Sequence, residues 1–217
     1  DKPVTGMANS EELNLYTYKR SLLQGYRTAP APVAPRGKIG LPLCLNMYEL
    51  LPFWHTLFTR LGFAVVTSPF SDRKLYQSGQ ATIPSDTACF PAKLSHGHIR
   101  WLCEQGVDAI FYPCMSYNLD EHLGDNHYNC PVVAYYPEVL AGNCPELGKT
   151  KLIYDYFNLE RRKDFTKKFA QSLEKHFPGV EGRTVKDAVD AAYAEYEKHM
   201  QLVRQKGADI IAEARRQ

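Results

Sequence analysis

From residue 38 onward, short apolar runs alternate with stretches in which apolar residues recur every three or four positions. The runs at 38–43, 64–68, 108–113 and 131–136 are about five to six residues long and predict strands. Residues 151–157, a mixture of aromatic and charged side chains, predict a weaker fifth. Between the first two runs, Leu50, Trp54, Leu57, Phe58 and Leu61 form one helical stripe, with Pro52 near its start and Gly62 after its end. The helix expected over 91–105 has Pro91 in its opening turn, Ser85, Asp86 and Thr87 as nearby cap or turn residues, and Gly106 beyond its end. This alternation predicts an α/β, Rossmann-like fold: a mainly parallel sheet of four to five strands with helices on both faces.

The flanks read differently. Leu13, Leu15, Tyr16, Tyr18, Leu22, Leu23 and Tyr26 are spread among charges, a loose helical arm without a core of its own. Pro30, Pro32 and Pro35 make the following stretch an extended connector. Residues 159–177 and 184–217 are rich in Ala, Glu, Lys and Arg at helical spacing, separated by Pro178 and Gly179. The expected organisation is an arm and connector at 1–37, an α/β core at 38–157 and a helical segment at 158–217. The chain opens on Asp1 rather than Met and stops within a helical pattern, as a domain cut from a longer protein does.

Composition narrows the function classes. Hydrophobic residues at 44% and charged residues at 23% suit a folded globular chain of 217 residues. A net charge of +2 with no local basic cluster does not indicate a nucleic-acid partner. No apolar stretch approaches the roughly 18 to 20 residues of a membrane span, nor does the N-terminus resemble a signal peptide, so a cytoplasmic location is expected. There is no GxGxxG, Walker A, HExxH or GxSxG sequence, which removes the usual dinucleotide, nucleoside triphosphate, metalloprotease and α/β-hydrolase readings.

The six cysteines, at 44, 89, 103, 114, 130 and 144, contain no CxxC pair. Without a secretory signal they are expected as reduced thiols. Cys89, Cys114 and Cys130 fall in loops at element junctions, where ligands of parallel sheets collect. Thiolates are soft donors for iron–sulfur clusters or zinc, and a helix N-terminus after Cys89 favours the anion. His127 offers a fourth ligand for zinc. Free cysteine is also a common apolar filler, and spacing alone leaves both readings open. Cys103, beside Trp101 and Leu102, reads as core, Cys144 is undecided, and Cys44 stands at a strand end. Lys93 and His96 follow Cys89 by four and seven positions and share its helical face, either to hold an anion or tune charge there or as part of a solvated surface. His55 reads as structural, and Glu49, three residues after Asn46, as one half of a helix cap.

Several ordered segments carry a resemblance. Ile39-Gly40-Leu41-Pro42, Leu45-Asn46-Met47-Tyr48-Glu49, Pro52-Phe53-Trp54-His55, the stretch from Pro84 to Lys93 and His96-Gly97-His98 are similar to domains of large CoA-substrate-specific enzyme activase proteins. Phe111-Tyr112-Pro113-Cys114 and the stretch from Asp125 to Pro131 extend the similarity, which covers about residues 38–157. That family is related to the activators and components of 2-hydroxyacyl-CoA dehydratases and benzoyl-CoA reductases of anaerobic bacteria. The resemblance implies an oxygen-sensitive redox module holding a [4Fe-4S] or related iron–sulfur cluster through Cys89, Cys114 and Cys130, with Lys93, His96 and His127 lining it. It also implies an ATP-hydrolysing activase region, in the same longer protein or a partner chain, as electron source, and a CoA ester as candidate substrate. The phosphate-binding loops of such an ATPase are missing here, so ATP hydrolysis is expected elsewhere. The alternative is a structural or interaction domain of the same assembly, with zinc or no metal at the cysteine edge.

Overall fold

The computed structural model describes residues 13–121 and 124–216. Helix α1 (Leu15–Arg27) is capped by Asn14, whose side chain accepts the Thr17 N–H at 3.1 Å. Strand β1 (Lys38–Leu41) leads through α2 (Asn46–Glu49) and α3 (Leu51–Arg60) to β2 (Ala64–Thr67). Helices α4 (Arg73–Gly79) and α5 (Phe90–Cys103) precede β3 (Ala109–Phe111), and α6 (Pro131–Asn143) precedes β4 (Lys151–Ile153). Two longer helices, α7 (Arg162–His176) and α8 (Gly182–Ala214), complete the described chain.

All four strands are parallel, in the order β2-β1-β3-β4. The expected Rossmann-like α/β sheet is therefore present, but one strand is not where the apolar runs place it. Residues 131–136 open helix α6. Pro131 occupies the first turn, where its missing N–H costs nothing, and the apolar residues continue through Val139 and Leu140, far beyond a strand's length. A short apolar run does not by itself separate a strand from a buried helix. The weaker strand expected over 151–157 is present and supplies the sheet's fourth, β4, with its first three residues. Helix α4 was not signalled by periodicity; Asp72 starts it by accepting the Leu75 N–H at 2.7 Å.

Right-handed crossovers in this strand order place α3 on one face and α5 and α6 together on the other. On the first face, Trp54 and Phe58 from α3 each meet Phe111 of β3 at 4.9 Å between ring centroids. Phe165 and Phe169 of α7 stack at 5.5 Å in the same cluster, which Val185 and Val189 of α8 and Leu23 of α1 join. The arm and the C-terminal helices thus bury apolar surface against the α/β unit. On the second face, α4 crosses α5 with Gly79 directly against Gly97. Crossover helices run opposite to the strands, so the N-termini of α5 and α6 both lie at the sheet's carboxyl edge.

Candidate functional site

The carboxyl edge gathers most of the chain's chemistry. After β1 the backbone passes through Leu45 at φ 46° and ψ −133°, a conformation rare for a residue with a Cβ. Such a residue costs about 1–3 kcal/mol and persists only where its surroundings impose it. Beside it Cys44 is buried, and desolvation pushes its thiol up to about 12. It is an inert thiol at neutral pH.

Cys89 and Cys130 are the N-cap residues of α5 and α6, with nearly the same backbone angles, φ −62° and −61°, ψ 150° and 152°. Both are exposed. Cys130 Sγ accepts the Val133 N–H at 3.4 Å, so the sulfur takes the place of a capping oxygen at the positive end of the helix dipole. Lys93 sits one turn into α5, its N–H bonded to the Cys89 carbonyl, and its ammonium donates to the Asp86 carbonyl at 2.7 Å. Two accessible thiols thus stand at the ends of neighbouring helices, one with a cation in its first turn.

Cys114 differs. Its N–H and C=O bond to Asp155 and Phe157, prolonging the β3–β4 ladder, and its side chain is fully buried. Burial pushes the thiol up to about 11, with the Glu138 main chain and the Tyr156 hydroxyl as its polar neighbours. Glu138 lies eight residues along α6 from Cys130, roughly 12 Å at 1.5 Å per residue. Among the described residues, no three His, Cys, Asp or Glu side chains form a metal-ligand group. Of the three cysteines of the resemblance, two thus carry accessible thiols and the third is turned inward.

The histidines occupy other stations. His127 pairs with Asp120 at 3.4 Å on the loop before α6. His96 is buried beneath the edge, with Nε2 3.0 Å from the Tyr136 hydroxyl and Nδ1 2.8 Å from Thr82 Oγ1, which itself donates to the Gly79 carbonyl. This assigns a neutral ring with the proton on Nδ1, and desolvation lowers its pKa to about 4. Cys144 is buried 3.6 Å from the same Nδ1. His98 Nδ1 lies 2.6 Å from Ser68 Oγ, which also accepts the Leu43 N–H at 2.7 Å, and His98 Nε2 lies 2.9 Å from Ser71 Oγ. The two rings on either side of Gly97 thus tie α5 to α6 and to the loops after β1 and β2, and they position the edge.

Sequence reasoning did not find this network, although His96-Gly97-His98 was its visible trace. Cys103 is partly buried at the end of α5, packed against the margin of the core near Thr150 rather than inside it. Glu49 ends the short α2 and pairs with Lys19 at 2.6 Å, and Asn46 lies inside that helix rather than capping it. His55 packs edge-on against Tyr26 at 5.7 Å, a structural contact as expected.

A family model described as "CoA enzyme activase uncharacterised domain" matches residues 38–217, a span that takes in α7 and α8 as well as the sheet. No curated protein and no solved structure matches the chain.

Proposed function

The chain belongs to the CoA enzyme activase uncharacterised-domain family, and from that premise we propose that it serves as an iron–sulfur redox module of such a system. Cys89 and Cys130 are the accessible ligands, and Cys114 is the third. The observation that carries the reading is the pair of exposed thiols at the N-caps of adjoining helices, with the Lys93 side chain in the first turn after Cys89. A cluster bound there supplies one-electron chemistry; the protein's part is to hold thiolates, exclude competing cations and set local charge. His96 acts beneath the site as a neutral support, and His127 stands on the loop that leads into Cys130. The electron source in this reading is an ATP-hydrolysing region of the same assembly, and the recipient is a CoA-dependent enzyme or its ester substrate.

The inward thiol of Cys114 favours a second reading, in which the domain is a structural or interaction element and the edge holds zinc or no metal. Anaerobic reconstitution with iron and sulfide separates the two. The redox reading expects broad visible absorption and bound iron that fall to background in Cys89→Ala, Cys130→Ala and Cys114→Ala. Iron and colour kept by all three variants would end it. Zinc in protein purified without air, or no metal with unchanged folding, supports the structural reading.

A further inference from the structure

A second feature of the carboxyl edge is independent of the cysteines. Between α1, the loop after β1 and the first turns of α5 lies a cavity of about 390 Å³, lined among others by Tyr16, Arg20, Leu45, Tyr48, Phe70 and Leu94. It sits beside the strand from which successive crossovers leave toward opposite faces, the position where open parallel sheets receive ligands. Its volume is in the lower range of small-molecule pockets, roughly 300–1,000 Å³.

Arg20 is the cation on this cavity's wall, and Arg27 reaches the same Phe70 ring from outside the lining. The Arg20 guanidinium lies 4.4 Å from the centre of the Phe70 ring, and that of Arg27 lies 4.9 Å from it. Among the described residues neither arginine has a carboxylate partner. Outside the lining, Arg27 donates from Nη1 to Gln24 Oε1 at 2.7 Å while its Nε is buried without a hydrogen-bond partner, and the Tyr48 hydroxyl on the cavity wall has the Tyr16 hydroxyl as its neighbour. Glu49, also on the wall, is neutralised by Lys19 at 2.6 Å. Two guanidiniums without carboxylates on one ring repel each other, and burial together with the nearby Arg20 charge lowers the pKa of Arg27. An arrangement of this kind gains most from an oxyanion, because a guanidinium matches carboxylate and phosphate geometry. The strained backbone at Leu45 is on the same wall, where ligand clamps commonly store strain.

We infer that this cavity binds a small organic oxyanion, a carboxylate or phosphate monoester, with its charged group on Arg20 and its apolar or aromatic body among Tyr16, Tyr48 and Leu94. The inference stands whether or not the cysteines hold a metal.

Titration of the chain with phenyl phosphate, phenylacetate and inorganic phosphate, followed by calorimetry and amide chemical shifts, tests it. At least one of the two aromatic probes should bind and shift amides of the 43–49 loop. The one that binds more tightly identifies the headgroup, and inorganic phosphate should bind more weakly than phenyl phosphate. Arg20→Gln should weaken binding by about tenfold or more, as loss of a charge-assisted contact does. Leu94→Trp, which fills the cavity and leaves both arginines in place, should abolish it. Arg60→Gln, an exposed cation at the far end of α3, should change nothing. No binding of either aromatic probe at about 10 mM, a free energy under ~3 kcal/mol, would overturn the inference. So would full binding by folded Leu94→Trp, or equal losses in the Arg20 and Arg60 variants.

Discussion

Gly97→Ala is expected to destabilise the protein by about 3 kcal/mol or more, the upper end of overpacking effects. An added Cβ would stand 2.1 Å from the Leu75 carbonyl oxygen and 2.8 Å from its carbon. Both are backbone atoms of α4, so no side-chain rotation relieves the clash, and the two helices must separate. The partner position is equally tight, since a Cβ on Gly79 would meet Gly97 N at 2.2 Å. Separation also pulls on His96 and His98, which flank the contact and hold α5 to Thr82, Tyr136, Ser68 and Ser71. The same substitution at Gly207, inside α8, provides the control. There the new methyl reaches Leu15 Cδ2 at an ordinary 3.7 Å, and removing a mid-helix glycine should stabilise by roughly 0.5–1 kcal/mol. Urea denaturation of both variants should therefore move the midpoint in opposite directions. A Gly97→Ala midpoint equal to that of the parent would show that α4 and α5 are not in backbone contact.

The difference between these two glycines was not legible in the sequence, because both sit within helical patterns and only tertiary contact distinguishes them. The apolar pattern did reveal β1, β2 and β3, the weaker segment that holds β4, the stripe of α3, the span of α5 and the long C-terminal helices, since each of these buries one face in the core. It added a strand at 131–136 because the Pro-Val-Val-Ala-Tyr-Tyr run is apolar even at its exposed positions, Pro131 and Tyr135, so no polar face marks the helix. The carboxyl edge was legible in outline: loops after strands, cysteines at junctions and a helix start after Cys89. Side-chain direction was not. Cys114 and Cys130 both stand near prolines at element ends, yet one points into the protein beside Tyr156 and the other caps a helix in the open. Nor does spacing reveal that Arg20 and Arg27, two turns apart on an arm without a core of its own, converge on Phe70.

Geometry at the edge follows from how the chain connects rather than from any one motif. The β2-β1-β3-β4 order sends α5 and α6 to the same face with their N-termini on the same edge. That places both N-cap cysteines on the rim of one module, while α1, folded back over α3 and α8, closes the opposite wall of the crevice beside β1. The thiol rim and the cavity that holds Arg20 are thus products of a single topology, and α5 contributes to both through Cys89 at its cap and Leu94 in its second turn.

Acid should loosen this edge well before carboxylates titrate. His98 is fully buried, and its network assigns a neutral ring: Ser68 accepts the Leu43 N–H and donates to Nδ1, while Nε2–H donates to Ser71. Adding a proton at Nδ1 sets two donors against each other and buries a charge, and desolvation accordingly lowers the ring's pKa from 6.5 to about 4. Because the unfolded chain takes up this proton first, stability is complete above pH ~6.5 and drains as pH falls toward ~4. Linkage puts the full loss at about 3 kcal/mol, of which about 2 kcal/mol should be gone by pH 5. His96, His55 and His199 are lowered in the same direction by burial, so the observed slope should exceed that of one proton. Urea midpoints measured between pH 7.5 and 5 should fall steeply in the parent chain and less steeply in His98→Asn. Nitrogen chemical shifts of the His98 ring should report the neutral Nε2–H tautomer at pH 5.5. A ring that titrates near 6.5, or a variant whose stability depends on pH as strongly as the parent's, would show that this histidine is not locked between the two serines.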